Sequence, residues 1–189
     1  MADSSEGTDE PTTSRLEAML NASPALARFA FFAGVWAVVI DIINITIGAY
    51  AAGQKVVWAG FLSMGKLADN TYVAHAGNGF SAGDAAFSII AFGLLAYGIM
   101  AINHQEKDGF VGWLKGLTNP TCWKPLVTTK AGTAATLGSW SLLVGILFYI
   151  GWSINYNTWV DPGVYAVTAP LVGFGLAFKK LNETESRDE

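Results

Sequence analysis

The stretch from Ala30 to Tyr50, AFFAGVWAVVIDIINITIGAY, holds one charged side chain in a run of otherwise apolar, aromatic and small residues. About twenty helical residues cross the hydrocarbon core of a bilayer, so the run predicts a transmembrane helix and limits the chain to folds built around one. Its charge, Asp41, lies near the middle of the run, with Asn44 three residues on and on the same helical face. A charged group at mid-membrane costs about 3 kcal/mol on insertion scales, so Asp41 is expected to face a bundle interior or a wet cavity. Asp41 and Asn44 are therefore the candidate ion or proton site. The competing reading makes Asp41 a packing residue, hydrogen-bonded to a neighbouring helix.

Composition supports a membrane protein. Of 189 residues, 52% are hydrophobic and 14% charged, more apolar and less charged than a typical soluble domain. The net charge of -4 comes almost wholly from Met1 to Ala27, where Asp3, Glu6, Asp9, Glu10 and Glu17 stand against Arg15 alone. There is no basic patch interleaved with aromatics, which argues against nucleic acid as a partner. The single cysteine, Cys122, leaves no intrachain disulfide and no thiol pair.

Taken in order, residues 1–23 read as a disordered acidic tail, lacking the basic start of a secretory signal. Ser23-Pro24 reads as a helix N-cap followed by proline at the first helical position. Four membrane spans follow, at about 30–50, 85–102, 131–154 and 163–178. Between the first two, residues 55–69 carry Val57, Phe61, Met64 and Ala68 at helical spacing opposite Lys55, Ser63 and Lys66, which suits an amphipathic helix in the headgroup region. Residues 70–83 read as loop, with Asp84 as N-cap of the second span. Residues 110–130 read as a mixed loop. Asp161-Pro162 repeats the cap-and-proline opening, and residues 179–189 form a charged tail. The predicted class is all-α: a polytopic membrane protein of four transmembrane helices plus one interfacial amphipathic helix.

Four spans put both termini on one side. Arg15, Arg28, Lys107, Lys115, Lys124, Lys130, Lys179, Lys180 and Arg187 fall there, against Lys55 and Lys66 opposite, so the termini are expected to be cytoplasmic. Trp152, Tyr156 and Trp159 then gather at the outer interface as an aromatic belt. Small residues form stripes along the third span (Ala134, Gly138, Ser141, Gly145) and the fourth (Ala166, Ala169, Gly173, Ala177), where helix backbones can approach closely. Gly138, Ser141, Gly145 and Gly173 are the helix-packing candidates, serving contacts within the chain or between subunits.

Ser139-Trp140, Leu143, Gly145-Ile146 and Tyr149-Ile150-Gly151-Trp152, then Gly163-Val164-Tyr165 and the basic exit ending in Arg187-Asp188, resemble a helix pair of the small YiaA/YiaB-type bacterial inner-membrane proteins. The resemblance covers about residues 139–188. It implies a small polytopic inner-membrane protein and carries over no functional residue.

His75 falls in the loop after the first span and His104 at the far end of the second, so they are not expected to share a haem. No ligand set at metal-binding spacing and no hydrolase or phosphate-loop motif stands out, and no cofactor is implied. Three function classes remain. The first is a non-enzymatic subunit or accessory component of a membrane assembly, partnered by the lipid bilayer and by copies of itself or other membrane subunits. The second is a small oligomeric channel or proton-coupled transporter using Asp41. The third is a pigment- or lipid-binding protein.

Overall fold

The computed structural model describes residues 11–77 and 79–188. Its helices are α1 (Pro11–Leu20), α2 (Pro24–Thr46), α3 (Trp58–Leu62), α4 (Ala82–Gln105), α5 (Gly109–Leu117), α6 (Pro120–Trp123), α7 (Thr133–Tyr156) and α8 (Pro162–Asp188). Among the described residues the one sheet is a two-stranded antiparallel pair, β1 (Lys55–Val56) and β2 (Tyr72–Val73). Four of the helices, α2, α4, α7 and α8, are long and apolar enough to cross a membrane. The protein is all-α and polytopic.

The start signals act as their chemistry requires. Ser23 Oγ accepts the Leu26 N–H at 3.3 Å ahead of Pro24, and Asp161 Oδ1 accepts the Gly163 N–H at 2.6 Å ahead of Pro162. α7 stops at Asn157, a left-handed residue (φ 47°) of a type that tolerates this conformation.

Several expectations are corrected. Within the supposedly disordered 1–23 tail, residues 11–20 are helical, and residues 1–10 lie outside the described set. α1 is held by tertiary bonds: the Tyr97 hydroxyl donates to the Met19 carbonyl, and the Gln105 amide donates to the Leu20 and Ala22 carbonyls. The amphipathic helix expected over 55–69 is instead a strand, the five-residue α3 and a set of turns. Met64 and Gly65 both take left-handed backbone (φ 53° and 82°), which a continuous right-handed helix excludes. The 110–130 loop contains α5, α6 and two 3₁₀ turns. In α5, Phe110 and Trp113 pack inward while Val111 and Leu114 are exposed, so apolar side chains occupy both faces of this short helix. The helix of the fourth span continues through the charged tail to Asp188.

The chain forms two compact units, with boundaries inside α2 and α4. In the unit of residues 1–36 and 90–117, α2 and α4 run antiparallel at close range. A Cβ on Gly34 would meet Leu95 N at 2.4 Å, and one on Gly98 would meet Phe31 N at 2.4 Å. Ala27, Ala101 and Ile102 are buried among Leu20, Phe31, Tyr97, Phe110 and Trp113, and Arg28 bridges Glu106 at 3.0 Å.

In the unit of residues 37–89 and 118–189, α7 and α8 pair closely. Ile40, Ala49, Val56, Trp58 and Val160 form a separate core over the ends of the helices. The loop after α7 joins this core through the backbone: Trp159 N–H and Val160 N–H both donate to the Ala49 carbonyl at 2.8 Å.

Candidate functional site

The last two turns of α2 turn Ile40, Asp41 and Asn44 inward, all less than 5% exposed. Asp41 is thus near the end of a helix spanning 24–46, not at its middle, because the helix begins six residues before the apolar run and stops four before its end. Asn44, fully buried, uses its whole amide. Its Nδ2 donates to the Val56 carbonyl (3.0 Å) and to Asp84 Oδ1 (3.3 Å), while its Oδ1 accepts from Val56 N (2.7 Å) and Ala49 N (3.4 Å). Toward Val56 it does what a residue of a neighbouring strand does, pairing with both backbone groups. A buried backbone N–H and C=O left unpaired would be costly, and here one side chain satisfies both.

Asp84 is the second centre. The expected N-cap role belongs to Ser81, one residue before α4; Asp84 sits at the third helical position and closes a capping box. Ser81 N–H and Oγ donate to Asp84 Oδ2, each at 2.7 Å, and Asp84 N–H returns a bond to Ser81 Oγ at 3.3 Å. The same Oδ2 pairs with Lys55 Nζ at 2.6 Å, with side-chain exposures of 0% for Asp84 and 12% for Lys55. Lys55 also donates to the Gly79 carbonyl. A buried carboxylate is thereby matched with a cation and with further donors, the condition under which a buried ion pair is tolerated.

Asp41 has a poorer set of partners. Ser88 Oγ donates to its Oδ2. The Trp58 indole approaches the same carboxyl group, yet Asp41 Oδ1 and Trp58 Nε1 are buried with no partner at bonding distance among the described residues. Trp58 itself is fixed by stacking flat on Phe87, with centroids 3.7 Å apart. Although they lie on one helical face, Asp41 and Asn44 take separate partners: Asp41 takes Ser88, and Asn44 takes Ala49, Val56 and Asp84. Thr46 turns back to its own helix, donating to the Ile42 carbonyl at 2.7 Å. His75 Nε2 donates to the Ile45 carbonyl at 3.0 Å, satisfying an orphan acceptor at the helix end.

Around this network the turns are glycine-dependent. Gly48 has φ 85°, and a Cβ there would meet the Gly53 carbonyl oxygen at 2.1 Å. Tyr50 stacks on Tyr72 at 3.6 Å, and burial, with Tyr50 and Asp161 nearby, holds the Tyr72 phenol above its usual pKa range.

The packing candidates divide. A Cβ on Gly138 would meet the Gly175 carbonyl oxygen at 2.8 Å, one on Gly145 would meet Leu171 Cβ at 3.0 Å, and Ser141 Oγ donates to the Leu171 carbonyl at 2.7 Å. Gly173 has open space around it, and Ala166, Ala169 and Ala177 are exposed as well. A small residue of α8 that does face α7 is Gly175, whose Cβ would meet Leu142 Cγ at 2.5 Å. Of the aromatics, Trp152 and Tyr156 are exposed and packed together at 4.3 Å. Trp159 is part-buried, and its carbonyl accepts the Tyr149 and Tyr165 hydroxyls at 3.0 and 2.7 Å.

Sequence reasoning missed Lys55, Ser81, Ser88 and Trp58 as site residues and placed Asp84 as a simple cap. The Ser81-x-x-Asp84 spacing was a readable signal for a capping box; nothing local connected Lys55 to it. Among the described residues no group of three or more His, Cys, Asp or Glu side chains is placed to hold a metal ion. No protein family, curated protein or solved structure matches this chain.

Proposed function

We propose that this chain is a non-enzymatic component of a membrane assembly, packing laterally against copies of itself or against other membrane subunits, with both termini cytoplasmic. The observation that carries the reading is α8. Only 11% of its membrane-spanning window is buried within the chain. Its small-residue face, Ala166, Ala169 and Gly173, points away from α7, leaving a surface on which another helix backbone can approach closely. The orientation is supported by the lysine and arginine distribution, nine residues on the terminal side against Lys55 and Lys66 opposite. Native mass spectrometry after gentle detergent extraction tests the proposal. A fixed stoichiometry with foreign subunits or with itself is expected, and a strictly monomeric particle across detergents refutes it.

A second reading, ion or proton movement through an oligomer, is favoured by one feature. The buried cluster holds two carboxylates, Asp41 and Asp84, and one ammonium, Lys55, which pairs with Asp84 alone. Reconstituted protein would then support ion- or proton-dependent flux in liposomes, abolished in Asp41→Asn. Wild-type liposomes no leakier than empty ones sink this reading.

A further inference from the structure

The segment between β1 and β2 leaves the sheet and returns to it as a closed excursion, with Lys55 opposite Val73 and Val56 opposite Tyr72. Val57 N–H donates to the Thr71 carbonyl at 2.9 Å, and the two arms touch at Gly60, where a Cβ would meet the Asn70 carbonyl oxygen at 2.3 Å. Its depth is fixed by two contacts. Val56 is bonded to Asn44, two residues inside the end of α2 at Thr46, and Trp58 is stacked on Phe87, five residues inside the start of α4 at Ala82. At 1.5 Å per residue, the chain at Trp58 lies roughly 8 Å inside the end of α4. Its entry point therefore lies alongside the first turns of α4, not beyond the helix end.

The tip of the excursion is built for that depth in two independent ways. Leu62, Met64 and Leu67 are 61%, 92% and 78% exposed, so three large apolar side chains point away from the protein within six residues. The backbone N–H groups at the tip are also paired from within. Ser63 N–H donates to the Ala59 carbonyl, Met64 N–H to Phe61, Gly65 N–H to Gly60 and Lys66 N–H to Ser63, while Leu67 N–H donates to Ser63 Oγ at 2.9 Å. Each unpaired N–H would cost several kcal/mol on the apolar side of the boundary, and these five are paired.

We infer that residues 58–67 form a membrane-dipping loop whose occupied surface is the boundary between lipid headgroups and acyl chains. Leu62, Met64 and Leu67 enter the apolar side, and the exposed Lys66 extends its stem along it to place its ammonium among phosphates. The left-handed Met64-Gly65 pair turns the chain back before it goes deeper. The excursion is thus neither a surface helix nor a span.

The test uses full-length protein with Cys122→Ser, in nanodiscs of phosphatidylcholine and phosphatidylglycerol. Nitroxide labels are placed singly at Met64→Cys and Leu67→Cys, with Asp69→Cys as the aqueous control. Labels at 64 and 67 are expected to collide with oxygen several-fold more, relative to a water-soluble nickel chelate, than the label at 69. Water-like accessibility at 64 and 67 matching that at 69 overturns the inference. So does a label shielded from both oxygen and nickel, which means that a second chain covers the tip. Helical circular dichroism matching the wild type validates each labelled protein, and either position alone decides the outcome if the other misfolds.

Discussion

Where α7 meets α8 the contact is made by removing side chains; where the end of α2 meets the start of α4 it is made by matching polar groups one to one. At the first, Gly138, Gly145 and Gly175 let two backbones close up, and the Ser141 hydroxyl donates across to the Leu171 carbonyl. At the second, Asn44 alone makes four hydrogen bonds, and Asp84 gathers Lys55, Ser81 and Asn44 around one carboxylate. A seam of glycines specifies distance but tolerates small slides, since the next small residue serves nearly as well. A buried polar network has one arrangement in which every group is paired, and any other leaves a group unsatisfied. The difference implies that the polar end sets the register of its helices and the glycine seam only their separation.

The sharpest way to break the comparison is Asp84→Leu. Removing the carboxylate strands Lys55 with 12% of its side chain exposed and deprives Asn44 and Ser81 of an acceptor. Breaking a buried pair from one side costs about 3–5 kcal/mol, read from denaturation in mixed micelles followed by tryptophan fluorescence. Adding Lys55→Met should restore a large part of the loss, since an apolar pair replaces an orphaned charge. If the double variant is as unstable as the single one, the network is not organised around the ion pair.

Smaller effects separate the two faces of α8. Gly175→Leu drives its side chain into Leu142 and the Gly138 carbonyl and should cost about 1–3 kcal/mol in the same assay. Gly173→Leu meets nothing within the chain and should stay within about 0.5 kcal/mol of wild type, yet weaken any lateral assembly. Equal losses for the two variants would show that α8 rotates from the observed face.

The legibility of these regions follows the same division. Spans are visible because their signal is local: a long apolar run, Ser23-Pro24 and Asp161-Pro162 at the starts, and small residues at helical spacing on α7. On α8 the spacing of Ala166, Ala169, Gly173 and Ala177 is equally regular but describes a face turned away from α7. Which of two small-residue faces meets a neighbour depends on that neighbour's own surface, here Gly138 and Leu142 of α7. Asp41 and Asn44 stood out as polar residues in an apolar run. The rest of the network did not, because Lys55, Ser81 and Asp84 lie in polar stretches where such residues are ordinary, and only the fold shows that Lys55 and Asp84 become buried. The 55–69 helix failed at Met64 and Gly65, where the periodicity is right and the backbone handedness is not.

The Asn44 amide has a consequence for how the chain is made. Its partners are Ala49, Val56 and Asp84, all downstream, the last by forty residues. Ala49 and Val56 follow α2 closely, while Asp84 emerges forty residues after Asn44. Until then the amide lacks one of its bonds. Pairing with α4 completes the set, so the two helices are expected to leave the insertion site as a pair. The residue that fixes their register thus also times their departure.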